Sequence, residues 1–279
     1  MSVSDSTRRA ELAHAARLYY HRGLTQEEVG HRLGVSRFRV MRLLEAARAE
    51  GVVRIEIEDE LRQEDDLAAR LEAAFGLDLA VVVPEPGGLA RAGAATLPLL
   101  LHPGDLVGVA WGETLSALVA ELAPQGERHD VVQICGAIPG LATGTGPSEV
   151  AVRLAERLGG SVSLLPAPAR SAALGELLGD ETIRPTLDLF ERVAVALVGI
   201  GPHASGGGHV LVHVFGPDGS VLDPEPALAL PLEGLRRART VAIAGGAVKH
   251  ESILAVLRAR ILSALVTDEA AARYAVESA

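Results

Sequence analysis

Apolar positions follow two periods along the chain. From residue 8 to residue 51 they recur with helical spacing, and from residue 79 onward they come in short unbroken runs. In the first region Leu12, Ala15, Ala16 and Tyr19 define one face of a helix over 8–20, which Gly23 ends. Thr25 with Glu28 three residues later is a capping box, and Leu24 and Val29 sit at the two positions of a hydrophobic staple. A second helix therefore runs to about Leu33. Gly34-Val35 makes a short turn, and Ser36 caps a third helix that lasts until Gly51. Two short helices joined by a tight glycine turn are the signature of a helix-turn-helix.

The third helix carries Val40, Leu43, Leu44 and Ala47 on one stripe. Phe38, Met41, Arg42 and Glu45 point away from it, with Arg37 and Arg39 flanking. An outward phenyl ring among arginines suits a helix whose first turns enter a DNA major groove, where Arg pairs with guanine and a ring meets a thymine methyl. Thr25, Gln26, Ser36, Arg37, Phe38, Arg39 and Arg42 are the expected DNA contacts. A plain three-helix bundle with a charged surface is the alternative. Residues 52–57 alternate like a strand, either a wing or a lead into a linker. Residues 59–75 then read as a connecting helix, with Leu67, Leu71 and Phe75 packing on a partner chain or on the body that follows.

From residue 79 short β-branched runs alternate with helical stretches. The runs are 79–83, 106–109, 131–135, 162–165, 193–200, 241–244 and 264–267. This predicts a Rossmann-like, mostly parallel sheet covered by helices on both faces. A hairpin inserted at 210–222 turns at Pro217-Asp218-Gly219. The expected organisation is a helix-turn-helix domain at 1–58 (winged if 52–57 forms the wing), a helical linker at 59–78 and an α/β effector domain at 79–279.

Ligands of such sheets bind beyond the C-terminal strand ends, near helix N-termini. Three loops there carry candidate chemistry. Trp111-Gly112-Glu113-Thr114 follows the second run, where backbone amides and a hydroxyl could hold an anion; Trp111 could equally plug the sheet edge, with Thr114 a simple cap. Gly136 opens a long Gly/Thr-rich loop that reaches Ser148, read as a helix cap, and Glu149. Gly245-Gly246 leads to Lys249 in a first helical turn, where a cation opposes the helix dipole unless an anion shares the site. A phosphate monoester is the anion expected there. Neither a Walker A loop nor a G-x-G-x-x-G turn is present, so no nucleotide cofactor is expected.

Composition narrows the class. One cysteine, Cys135, rules out an intrachain disulfide and a multi-cysteine metal site. Apolar runs break before the ~18 residues of a membrane span, and the first residues lack the apolar core of a signal peptide, so a cytoplasmic location is expected. The chain carries a net charge of −10, yet residues 1–58 hold ten Arg against eight Asp and Glu. Only the head is thus suited to a polyanion. Lys249 is the single Lys of the sequence.

The chain resembles the SorC family of bacterial sugar-responsive transcriptional regulators. The resemblance rests on the stretch from Leu24 to Val29 with Leu33-Gly34-Val35-Ser36-Arg37, on Gly108-Val109-Ala110-Trp111-Gly112-Glu113-Thr114-Leu115, on Leu197-Val198-Gly199-Ile200-Gly201, on Ala244-Gly245-Gly246 with Lys249, and on Leu265-Val266-Thr267-Asp268-Glu269. It implies an effector domain similar to sugar-phosphate isomerases, phosphorylated-sugar effectors, and dimers or tetramers. It places the phosphate at 111–114 and at Gly245, Gly246 and Lys249, the sugar wall at Gly136 to Glu149, and Asp268 at the same site. The chain departs from the family at Ala137, at Pro147-Ser148-Glu149, and at Gly208-His209, where Gly-Asp is common.

The resulting expectation is a regulator whose affinity for double-stranded operator DNA responds to a phosphorylated sugar. An isomerase or deaminase is the rival, with Asp268, Glu149, His203 and His209 as acid/base candidates. It would have no use for the head. A repressor for free sugars would need two similar lobes, which the length hardly allows.

Overall fold

The computed structural model describes residues 3–53, 65–222 and 226–279. By internal contacts the chain divides into two units, Met1–Asp59 and Glu60–Ala279.

The first unit is a three-helix head. Helix α1 spans Val3–Ala16 and runs on into a π-helical turn at Arg17–His21, α2 spans Gln26–Leu33 and α3 spans Arg37–Ala49. Both sides of the Thr25–Glu28 box form. The Thr25 hydroxyl accepts from the Glu28 amide at 3.3 Å, and Glu28 accepts from the Thr25 amide at 2.8 Å. The Thr25 amide first, and then the Thr25 hydroxyl donating at 2.9 Å, hold the Glu28 carboxyl below its ordinary range. Ser36 accepts from the Arg39 amide at 3.3 Å and so starts α3. The turn between α2 and α3 brings Gly30 against the Val35 carbonyl. A Cβ at Gly30 would lie 2.7 Å from that oxygen, so only glycine permits the close approach. Leu12, Ala16, Val29, Val40, Leu44 and Ala47 are buried in the head's core. The expected wing falls largely on residues 54–57, outside the described residues; Val52 and Val53 pack on the head's own core.

The second unit is a seven-stranded sheet between helices. Its strands are β1 (Leu79–Val83), β2 (Leu106–Val109), β3 (His129–Gln133), β4 (Gly159–Ser163), β5 (Val193–Gly199), then, beyond a separate small sheet, β10 (Arg239–Ile243) and β11 (Ala264–Asp268). Their order is β1-β11-β10-β5-β2-β3-β4, and every pairing is parallel. The central strands β5, β10 and β11 are buried almost throughout, which is why they read as continuous apolar runs. Strand β4 starts earlier than expected, because its Gly159-Gly160 pair carries no strand signal.

Helix α4 (Asp65–Phe75) opens this unit, and its Leu67, Leu71 and Phe75 enter the body's core. Of the two expected roles for the connecting helix, packing on its own body is the one observed. The sheet is covered by α5 (Leu89–Thr96), α6 (Glu113–Glu121), α7 (Pro147–Leu158), the short α8 (Leu174–Leu178) and α9 (Arg184–Asp188), and α10 (Leu232–Arg237), α11 (His250–Arg258) and α12 (Glu269–Glu277).

The inserted hairpin is a four-stranded antiparallel sheet. Strands β6 (Gly201–Pro202), β7 (Gly208–Val210), β8 (His213–Phe215) and β9 (Val221–Leu222) pair in sequence order. The run 210–215, read as one strand, is broken by a turn at Leu211-Val212. Leu211 takes φ 54°, and both turn residues are buried. Apolar side chains held in a core gave that turn no polar signature.

Candidate functional site

In the head, Phe38 and Arg42 share the exposed side of α3, whereas Thr25 and Gln26 belong to α2 and its cap and Arg39 turns toward α1. Phe38 is 66% exposed, and the Arg37 guanidinium carbon lies 5.6 Å from its ring centroid. Arg42 and Met41 are exposed beside it, while Val40 and Leu44 on the opposite stripe are buried. Arg39 pairs with Glu11 at 3.2 Å and remains half exposed. Thr25 and Ser36 have their hydroxyls on helix caps, and Gln26 stands in the first turn of α2.

In the body, the strands β10, β5 and β2 are neighbours in the sheet, so the loops that leave their C-terminal ends converge. They enclose a cleft of about 230 Å³. Strand β2 contributes Trp111, Gly112, Glu113 and Thr114, β5 contributes Gly199 to Gly201, and the turn after β10 contributes Lys249. His209 and Leu211 close it from the antiparallel sheet.

Glu113 and Thr114 begin α6, where helix geometry leaves the first amides without intrahelical acceptors. Gly112, at φ 119°, turns the chain into that helix, and its amide donates to the Thr145 carbonyl at 3.0 Å. The Gly112 amide thus braces the turn from behind. Lys249 caps α11 from a 3-10 turn at Ala247–Lys249. Burial pulls the pKa of its ammonium down, while the Glu113 carboxylate across the cleft favours its charge. A partly desolvated cation in a cleft that also takes in the first turn of α6 has the chemistry to attract an anion.

The remaining predicted residues lie behind or beside the cleft. Asp268 is buried, and both of its oxygens are taken by backbone: Oδ2 accepts from the Gly246 amide at 2.6 Å, and Oδ1 from the Ala271 amide at 3.1 Å. Gly245 lies so close that a Cβ there would sit 2.3 Å from that carboxylate. Gly136 packs on the backbone of 167–169 and lines no part of the cleft. Glu149 holds the long loop together, accepting from the Gly144 amide at 3.1 Å and the Gly146 amide at 3.2 Å. It borders a separate surface hollow with Ser148 and Arg153. Gly146, not Ser148, is the cap residue of α7. Arg153 donates to the Gly144 carbonyl at 2.7 Å and to Ser116 Oγ at 2.6 Å, tying that loop to α6.

Cys135 is fully buried, and burial pushes its thiol up to about 12. Among the described residues no group of three His, Cys, Asp or Glu could hold a metal ion. His209 and Leu211 also line the cleft. The sequence offered His209 as an acid/base candidate of the enzyme reading and through the unusual Gly208-His209 pair; nothing pointed to Leu211.

A model of the Sugar-bind domain family matches residues 59–213 and 203–277, and a model of sigma-70 region 4 matches residues 16–50. The chain is 30% identical to the transcriptional regulator LsrR of Enterobacter sp. (strain 638), over 94% of this chain and 91% of that protein. It is also 30% identical to the erythritol catabolism regulatory protein EryD of Brucella abortus (strain 2308), over 93% and 94%. It belongs to the SorC family of sugar-binding transcriptional regulators. The crystal structure of the full-length sorbitol operon regulator SorC from Klebsiella pneumoniae superposes with a TM-score of 0.73 at 26% identity, over 97% of this chain and 99% of that one. The SorC-family pattern of a helix-turn-helix followed by a mostly parallel α/β body is therefore present from end to end of the alignment. Among the described residues no helix is long and apolar enough to cross a membrane.

Proposed function

We propose that this SorC-family protein binds double-stranded operator DNA as a homo-oligomer, and that a phosphorylated sugar in the body's cleft sets its affinity. The observation that carries the reading is the convergence of three neighbouring strand ends on Lys249 and the first turn of α6. The phosphate would take the amides of Glu113 and Thr114, the Thr114 hydroxyl and the Lys249 ammonium as a compact point charge. Glu113, the counter-charge of Lys249, would turn to the sugar hydroxyls.

Of the acid/base candidates of the enzyme reading, Asp268 and Glu149 accept backbone amides and lie outside the cleft's lining, so neither stands where it could move a proton at a ligand there. In the head, Phe38, Arg37 and Arg42 would read base edges, and Arg39 would contact backbone or base once released from Glu11. Effector and DNA then act through linkage: the effector favours one arrangement of subunits, and that arrangement matches or mismatches the spacing of half-sites.

A thermal-shift screen of the full chain against a library of pentose and hexose phosphates tests this. Stabilisation by at least one phosphorylated sugar, absent with its dephosphorylated form and absent in Lys249→Ala, is the expected result. Stabilisation that ignores the phosphate, or turnover of the bound compound, would overturn it.

A further inference from the structure

Between α1 and α2 the head turns a corner whose exposed side chains are mostly basic, and neither the cleft nor α3 accounts for it. The chain passes through the π-helical turn Arg17–His21, where the Arg22 amide donates to the Arg17 carbonyl at 3.2 Å, five residues back. Turns of this kind are rare and recur at functional sites. Leu18 is buried and Tyr19 packs on the head's core, while Arg17, Tyr20 and Arg22 are exposed. Tyr19 steadies its neighbour: the two rings meet edge to face, with centroids 5.0 Å apart. The Leu24 amide donates to the Leu18 carbonyl at 3.3 Å and so ties the corner to the start of α2.

Charge sets this corner apart. Glu11 is paired with Arg39 and Glu50 with Arg8, and Glu28 accepts from Thr25. Among the described residues Arg17 and Arg22 make no ion pair. They stand one π turn apart, two guanidiniums without counter-charges on one exposed edge. In a helix-turn-helix the recognition helix enters the major groove and the helix before it crosses the sugar-phosphate backbone. Here that helix is α2, and its first turn carries Glu27 and Glu28. Two carboxylates suit the helix dipole but repel a phosphate, so the start of α2 needs cations from outside it. The corner that feeds into α2 supplies them.

We infer that Arg17, Tyr20 and Arg22 form a phosphate clamp, a DNA-contacting surface separate from α3 that grips the backbone flanking the bases α3 reads. Contacts to phosphate set the register and orientation of a protein on the duplex and carry no sequence information directly. A guanidinium donates to two phosphate oxygens at once, and the Tyr20 hydroxyl adds a neutral donor. The inference rests on the reading of α3 as the helix in the groove. It adds which residues carry the salt-dependent, sequence-independent share of the affinity.

Titration of the full chain with labelled native operator and with a random-sequence duplex of equal length, over about 50–200 mM salt, tests the clamp. Arg17→Ala and Arg22→Ala should each weaken both duplexes by the same several-fold factor. Each should also make the slope of log affinity against log salt shallower by about 0.9 for every head engaged. Arg17→Lys and Arg22→Lys keep the charge and should retain the parent slope. Tyr20→Phe keeps the ring against Tyr19; it should weaken both duplexes with the slope unchanged, since no cation is lost. Unfolding temperatures should match the parent's, and where an alanine variant is less stable, glutamine at the same position takes its place. Parent slopes in both charge-removing variants, or losses confined to the operator, overturn the clamp. Arg42→Ala tests the groove reading separately. It should lose the preference for operator over random duplex, and a preference that survives it counts against α3 in the groove while the slopes still judge the clamp.

Discussion

The Asp268 carboxylate, at the end of β11, accepts the Gly246 amide at 2.6 Å across the gap to the turn after β10. The same group caps α12 through the Ala271 amide. One buried anion therefore fixes the turn that presents Lys249 and anchors a helix of the body.

Asp268→Ala should leave two backbone amides without acceptors at a buried position. A loss of about 2–4 kcal/mol in urea unfolding is expected, with weaker effector binding as the Lys249 turn loosens. A variant within about 0.5 kcal/mol of the parent would show that the turn stands without the carboxylate.

Phe38→Ala and Arg42→Ala remove exposed side chains from α3. Each should weaken binding to the native operator by about 1–3 kcal/mol if it reads a base. Unfolding temperatures should stay at the parent value, since neither residue belongs to the head's core. Gel shifts at one fixed salt concentration decide it, and unchanged affinity in both variants would mean that another face meets DNA.

Much of this was legible in the sequence, for physical reasons that also explain what was not. Strands buried on both faces must be apolar throughout, so Leu79–Val83 and Leu106–Val109 could be read to the residue. The caps Thr25 and Ser36 announce helix starts because their hydroxyls replace missing intrahelical partners. The turn at Leu211-Val212 was hidden because it is buried, and buried turns need no polar residues. Asp268 and Glu149 looked like site carboxylates by type and position. Only coordinates reveal that backbone amides already occupy them. His209 reaches the cleft from the antiparallel sheet, a placement set by tertiary packing, so the sequence could name the residue as a candidate but not show where it lies.

Glu149 gives a subtler case, being outside the cleft yet linked to it. It holds Gly144 and Gly146, and the intervening Thr145 carbonyl receives the Gly112 amide. Glu149→Ala should cost about 1 kcal/mol as a lost cap and should raise the effector concentration needed for half response several-fold. An unaltered response would separate the loop from the cleft.

Acid should weaken the body through two histidines. His213 Nε2 donates to the Leu230 carbonyl at 2.8 Å, and burial, the largest cause, holds its pKa below the ordinary 6.5. Burial does the same to His209. The unfolded chain takes up these protons near pH 6.5 while the folded chain resists, so folding stability is full above that pH and declines as pH falls toward the depressed values. His213→Gln keeps a donor and removes the titration. Its stability should fall less steeply between pH 6.5 and 5 than the parent's, and equal slopes would count against this assignment.

The most direct test of the central claim is release of labelled operator by a phosphorylated sugar that stabilises the parent, or tightening of that complex if the effector promotes binding, compared in parent and Lys249→Ala. The variant should bind operator like the parent in the absence of effector. Its half-response should move to effector concentrations about ten-fold to a hundred-fold higher, as expected for one lost charge-assisted contact. Half-response at the parent's concentration would place the phosphate elsewhere and contradict the account.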